Sequence, residues 1–244
     1  MVVKQVKHWL VTRANAARWR PIQEWAESRG AEFIQTEDGQ GFLIEARKGQ
    51  PGPLRIEWGA SQRSYMPGFE LRMRCEMGLH PDLQLMVVCR TLMEELERAV
   101  FEAYTDTLKT RVDTDTPEEM RWLVMFPKFN PQHSQILRQR YGIVGVTKEL
   151  TGAWLEGDLG EVLVQASQDL LPEGHPFVLM CLRGNLYLRS EMSEAELPKV
   201  QALVRLLETA AREAQRINGR LADGGAWPTT TSIAWTHSTR HGEG

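Results

Sequence analysis

The sequence predicts an α+β protein: a mainly antiparallel sheet with helices packed on one face, arranged as two sequential halves. Three observations predict it. From Phe69 to Met77 apolar and charged residues alternate without a break, which at two residues per repeat puts five apolar side chains on one face of a strand. Short apolar runs are separated by turn residues such as Glu37-Asp38-Gly39 and Gly184-Asn185, the chemistry that joins consecutive antiparallel strands. Each half then closes with a helical stripe, Leu92, Leu96, Ala99, Val100 and Ala103 in the first and Val200, Leu203, Val204, Leu207, Ala210, Ala211 and Ala214 in the second.

The halves span residues 1–112 and 117–219, with a flexible tail over 220–244. The repeated order of strands and then a helix suggests a diverged repeat. In the first half, Val2, Val3, Val6, Trp9 and Leu10 share one helical face beside Lys4, Lys7, Arg13, Arg18 and Arg20. A second short helix is expected to begin at Pro21 and end at Gly30. Strands follow at 31–35 and 41–47, then a loop at 49–53. Leu54 to Trp58 pairs with the alternating strand, giving an apolar core side and a charged wet side. Residues 83–89 form a nearly continuous apolar run, the pattern of a strand covered on both faces. Thr91 and Glu94 have capping-box spacing for the helix after it.

In the second half, Thr116-Pro117-Glu118-Glu119 opens a brief turn before the apolar run Trp122 to Phe126, which reads as a strand. Asn130-Pro131 is expected to open a helix closed by Gly142, residues 143–146 a short strand, and Asp158 with Glu161 to cap a helix ending near Leu171. Gly184-Asn185 joins the strands of a tight hairpin, and the last helix runs from Pro198 to a stop at Asn218-Gly219.

Composition excludes several classes. The 244 residues carry 29 Lys and Arg against 32 Asp and Glu, and this near balance gives no strong nucleic-acid signal. Cys75, Cys89 and Cys181 lie in apolar runs without metal-ligand spacing and read as core residues of a soluble, cytoplasmic protein. Neither a transmembrane run nor a signal-peptide block is present. Gly157 and Gly160 make no dinucleotide fingerprint, and no phosphate loop or nucleophile elbow occurs, so no cofactor is expected. Nor is a metal expected: His237 and His241 have helical pair spacing but no helix-like context, and the acids Glu94, Glu95, Glu97 and Glu102 lack partnering histidines. Asp113-Thr114-Asp115-Thr116 looks like the Asp-x-Asp-x-Thr signature of haloacid dehalogenase-like enzymes, but no apolar strand precedes the first aspartate, so it reads as a linker.

Two segments remain as candidate contact sites. The loop over 59–68 is longer than a hairpin needs and gathers Ser61, Gln62, Arg63, Ser64 and Tyr65, an inventory suited to a small anionic ligand held by Arg63. Trp227 and Trp235 stand in the polar tail, where an aromatic adds nothing to a core, and suit a segment that docks on a partner protein. Trp25, Trp58, Trp122 and Trp154 fall on apolar faces and belong to the core. Lacking an acid–base or nucleophile constellation, the chain reads as a non-catalytic interaction or ligand-binding module, an accessory subunit being one form of it. The enzyme alternative is a hydrolase or transferase using the 59–68 loop with His80 as base. A third reading places the basic N-terminal stretch on an anionic membrane surface.

Overall fold

The computed structural model describes residues 2–46, 54–105 and 117–222. The expected 49–53 loop, the boundary between the halves, the Asp113-Thr114-Asp115-Thr116 segment and the tail with Trp227, Trp235, His237 and His241 lie outside the described residues. So do the side chains of the basic stretch up to Arg13.

One sheet of eight strands organises the fold: β1 (Ala31–Gln35), β2 (Phe42–Ala46), β3 (Leu54–Ala60), β4 (Phe69–Glu76), β5 (Leu85–Cys89), β6 (Tyr141–Gly145), β7 (Phe177–Leu182) and β8 (Asn185–Glu191). Their spatial order is β1-β2-β3-β4-β8-β7-β5-β6, and every pairing is antiparallel. Strands from both halves therefore share the sheet, with β8 docked on β4 and β5 inserted between β7 and β6. Seven helices occur among the described residues: α1 (Val2–Ser28), α2 (Arg90–Thr105), α3 (Glu118–Met125), α4 (Gln135–Arg140), α5 (Lys148–Leu155), α6 (Asp158–Asp169) and α7 (Leu197–Ala222).

The alternation in β4 sorts its residues as expected: Leu71 and Met73 are buried, and Cys75 is half-buried on the same face. Across from them, Trp58, Ile56 and Leu54 of β3 pair with Leu71, Met73 and Cys75 and continue that inner face. Trp19, Ile22 and Ala26 of α1 cover it, together with Leu203, Leu207, Ala210 and Ala214 of α7. An aromatic cluster closes the β2–β3 corner. Trp19 meets Phe42 and Trp58 edge-on, Trp58 stacks on Phe69 at 4.9 Å, and Trp58 Nε1–H donates to the Met192 carbonyl at 2.8 Å.

β5 is buried along its whole length because it is sandwiched. Leu85 and Val87 face the inner core, while Met86 and Val88 face a separate outer cluster with Leu92, Met93 and Leu96 of α2 and Trp122 and Leu123 of α3. α2 and α3 thus lie on the face opposite α1 and α7, leaving the outer face of β1–β4 to charged side chains.

Several local expectations are corrected by packing. Pro21 does not start a helix; α1 runs through it. Pro21 itself is exposed while Trp19, Ile22 and Ala26 form one buried stripe, so tertiary packing outweighs the one lost hydrogen bond. Residues 122–126 are not a strand but the end of α3 and its cap: Trp122 and Leu123 are buried and Val124 and Met125 exposed, a helical division that a short apolar run conceals. α4 starts at Gln135 rather than at Asn130-Pro131, capped by the Ser134 hydroxyl, which accepts from Leu137 N–H, and passes straight into β6. α5, capped by Thr147, was not expected, and the N-cap of α6 is Gly157 rather than Asp158. The hairpin turn is Arg183-Gly184, one residue earlier than expected, with φ of 50° and 77° and Leu182 opposite Asn185. α2 begins at Arg90, ahead of Thr91, and α7 continues past Asn218-Gly219.

Candidate functional site

A groove of about 580 Å³ opens between the C-terminal part of α1 and the middle of α7, at the end of the sheet where β1 and β3 begin and β4 ends. Its formation follows from the sequence of those elements. Ile44, Leu54, Ile56, Cys75 and Met77 continue the apolar inner face, but α1 ends at Ser28 and the chain turns away through Gly30, whose φ of 75° permits the reversal into β1. The two helices therefore flank the floor, where Ile44 and Ile56 are buried and Leu54, Cys75 and Met77 remain half-buried. Trp25 forms one wall, with the Arg29 guanidinium 5.5 Å over its ring, and Leu207, Ala211 and Gln215 form the other. Arg29 Nη2 reaches across to Glu208 Oε1 at 2.5 Å. The size and apolar floor are those of a binding cleft.

The groove's chemistry is poor in catalytic groups. Among the described residues, no histidine lines it. Its nucleophile type, the Cys75 thiol, is pushed up by burial and by the charges of Glu208 and Glu76, so it stays protonated near neutrality. Arg29 is committed to Glu208, and Arg212 lies 3.7 Å from Asp158. What remains is shape, apolar surface and a rim of balanced charge.

The 59–68 loop, by contrast, folds onto the outer face of the sheet and closes on α3. Arg63 Nε–H donates to Glu119 Oε1 at 2.7 Å, and the Tyr65 hydroxyl donates to the same oxygen. Glu119 is only 2% exposed. Burial alone would raise its carboxyl pKa, but the hydrogen bonds from Tyr65, the backbone and Arg63 outweigh that and hold it below the usual carboxylate range. Burial and the same carboxylate push the Tyr65 phenol far up. Gln62 N–H donates to Glu70 Oε1, which also takes Arg72 at 3.1 Å and Arg189 at 2.8 Å. Arg72 further binds Glu57, so four acids and arginines brace this face where a wet surface was expected. Ser61 Oγ bonds the Arg63 backbone, and Ser64 is exposed.

Of the sequence-predicted groups, the structure brings Arg63 and Tyr65 together on Glu119 and ties the Gln62 backbone to Glu70. It does not bring His80 to them: the loop precedes β4 and His80 follows it, roughly 20 Å apart along the strand. His80 N–H instead donates to Asn218 Oδ1 at the end of α7. Of the tryptophans assigned to the core, Trp58, Trp122 and Trp154 are buried, and Trp25 is half-buried on the groove wall. Cys89 and Cys181 are buried as expected. Glu119 and the groove were missed. The groove combines residues from five separated stretches, and no local signal in the sequence joins them.

No protein-family model matches this chain, and no curated protein gives a significant sequence match. Among solved structures, the crystal structure of the mycobacterial trehalose monomycolate transport factor A is similar at a TM-score of 0.45 and 8% identity, covering 83% of this chain and 93% of that one. At that distance the likeness carries no functional argument. No described helix is long and apolar enough to cross a membrane.

Proposed function

We propose that this protein is a non-catalytic interaction module that takes an apolar peptide segment of a partner protein into the groove between α1 and α7. The observation that carries the reading is the composition of the groove: half-buried apolar side chains of Trp25, Leu54, Cys75 and Met77 beside charged side chains that are already paired. Burying an apolar side chain there is favourable by about 1.5–3 kcal/mol. A charged substrate gains little from a rim whose arginines are neutralised. The internal pairing of Arg63 and Tyr65 supports the same choice, because it gives the 59–68 loop a structural use. Trp227 and Trp235 provide a second contact segment beyond α7.

The test is selection of displayed peptides on the full chain and on Met77→Trp, which fills the groove from a half-buried position outside the central core. Apolar peptides that bind the full chain and weaken on the order of tenfold on Met77→Trp support the reading. Binding equal on both proteins, or no selected peptide on either, overturns it.

A further inference from the structure

Arg29 and Glu208 meet across the mouth of the groove from opposite walls. Arg29 follows the C-terminus of α1, Glu208 lies in the middle of α7, and both line the cavity. Their contact of 2.5 Å links one wall to the other, and both side chains are more than 40% exposed. The floor holds half-buried Cys75 and Met77, their sulfurs 3.4 Å apart. Burial and then the Glu208 charge push the Cys75 thiol up, so this carboxylate stands within electrostatic reach of the floor. Each partner also has a second place to rest. Arg212 stands four residues beyond Glu208 on the groove side of α7, the favourable order for a helical ion pair, and its contact with Asp158 is a loose 3.7 Å between side chains more than 60% exposed. Arg29 has the face of Trp25, 5.5 Å from its guanidinium.

We propose that the Arg29–Glu208 pair is a latch that gates the groove: closed, it bridges α1 and α7 over Cys75 and Met77; open, Glu208 turns to Arg212 and the floor is reached from solvent. This names the regulation of the docking site and rests on the docking reading for what is admitted, a partner's apolar peptide. An exposed ion pair is weak, which suits a gate: the closed form outweighs the open one by no more than about fivefold, so entry is slowed and not forbidden. Opening precedes entry, so the latch slows association, and closed over a seated side chain it slows release as well. Salt is its control. Screening weakens the pair and leaves the apolar floor in place, so the groove opens as ionic strength rises.

Two thiol reagents of different size, N-ethylmaleimide and pyrene maleimide, test this on the full chain. Both add to the Cys75 thiolate, so the ratio of their rates cancels any change in thiol pKa and reports the width of the opening. Mass mapping of the labelled peptides separates Cys75 from Cys89 and Cys181, which are buried. Glu208→Gln is expected to raise the pyrene-to-ethyl ratio at Cys75 by about two- to sixfold, the factor set by the share of time the latch is shut. Glu76→Gln, which removes the other carboxylate acting on the thiol but no part of the latch, is expected to leave the ratio unchanged. In the unaltered protein the ratio should climb toward the Glu208→Gln value between about 10 mM and about 1 M sodium chloride, as the Debye length falls from about 30 Å to about 3 Å. Glu208→Gln itself should show no such climb. An unchanged ratio in Glu208→Gln, an equal rise in Glu76→Gln, no salt response in the unaltered protein, or the same salt response without Glu208 overturns the latch. No peptide enters this measurement, so the two proposals fail separately: the expected ratios with no selected peptide remove the docking reading alone, and Met77-dependent peptides with a flat ratio remove the latch alone. Where peptides are selected, they should associate with Glu208→Gln several-fold faster than with the unaltered chain, and equal association rates count against the latch.

Discussion

Arg63 and Glu119 are 56 positions apart in sequence and meet through an Nε–H to Oε1 hydrogen bond of 2.7 Å, which fastens the 59–68 loop to α3. Because the Tyr65 hydroxyl donates to the same oxygen, one buried carboxylate holds two side chains of the loop. This pairing makes the loop part of the outer layer that also shelters Glu70, a fully buried acid at the centre of Arg72 and Arg189.

Glu119→Gln is therefore expected to destabilise the fold by about 1–3 kcal/mol, since it removes a charge-assisted acceptor and leaves Arg63 facing a neutral amide. Urea unfolding measures it, and a cycle with Arg63→Met should give strongly non-additive losses. The pH dependence has a definite sign. The folded carboxyl of Glu119 lies below its unfolded value, so its contribution is fully present above the unfolded pKa and is lost as pH falls through the folded one. Glu119→Gln should flatten acid destabilisation in that window; an unchanged acid limb would refute the hub role.

Gly160 gives a test in which helix propensity and packing disagree. It lies in the first turn of α6, where replacing Gly by Ala ordinarily favours a helix by about 1 kcal/mol. A Cβ here would stand 2.4 Å from the Leu155 carbonyl oxygen, a backbone atom at the end of α5 that cannot swing aside. Gly160→Ala is expected to destabilise by about 1–3 kcal/mol, with a lowered melting temperature as the readout. A neutral or stabilised variant would mean that the α5–α6 connection yields easily.

The sheet was legible in the sequence wherever one strand face is polar. In β4, Leu71, Met73 and Cys75 alternate with Glu70, Arg72 and Arg74, and a one-residue slip would exchange core for solvent, so periodicity dictates the strand. The pattern did not show that Arg55 faces Arg74 across β3–β4, nor that Arg55 turns instead to Glu45 and Glu57. Trp122 to Phe126 misled because a five-residue apolar run has no period to read; the helix shows only in its packing, with Trp122 and Leu123 buried and Val124 and Met125 exposed. The groove was illegible for a related reason: Trp25, Ile56, Met77 and Ala211 are brought together by long-range docking, and each alone reads as ordinary core.

His175 provides a second pH signature, separate from the acids. Its Nε2 lies 2.9 Å from Ser190 Oγ and its Nδ1 3.9 Å from Glu191 Oε2. Burial lowers its pKa, and the opposing attraction of Glu191 does not restore it. A histidine with a lowered folded pKa contributes stability that is complete above the unfolded value and declines as pH falls toward the folded one. Melting temperature should drop as pH falls below the ordinary histidine value of about 6.5 toward the lower folded one, and His175→Gln should remove that part of the slope. The same slope in His175→Gln would assign it to other groups.

Arg29 separates stability from binding. Its ion pair with Glu208 joins α1 to α7 across the groove, but both side chains are over 40% exposed, so solvent and salt screen the pair. Arg29→Ala is accordingly expected to change unfolding free energy by less than about 1 kcal/mol. The same guanidinium rests over the Trp25 ring and fixes the groove wall, so its loss frees the indole and weakens the shape that a docked peptide meets. Peptides selected on the full chain should leave Arg29→Ala several-fold faster while the melting temperature moves by only a few degrees. A large loss of stability with unchanged dissociation would invert this assignment and make Arg29 a strut of the fold rather than part of the groove.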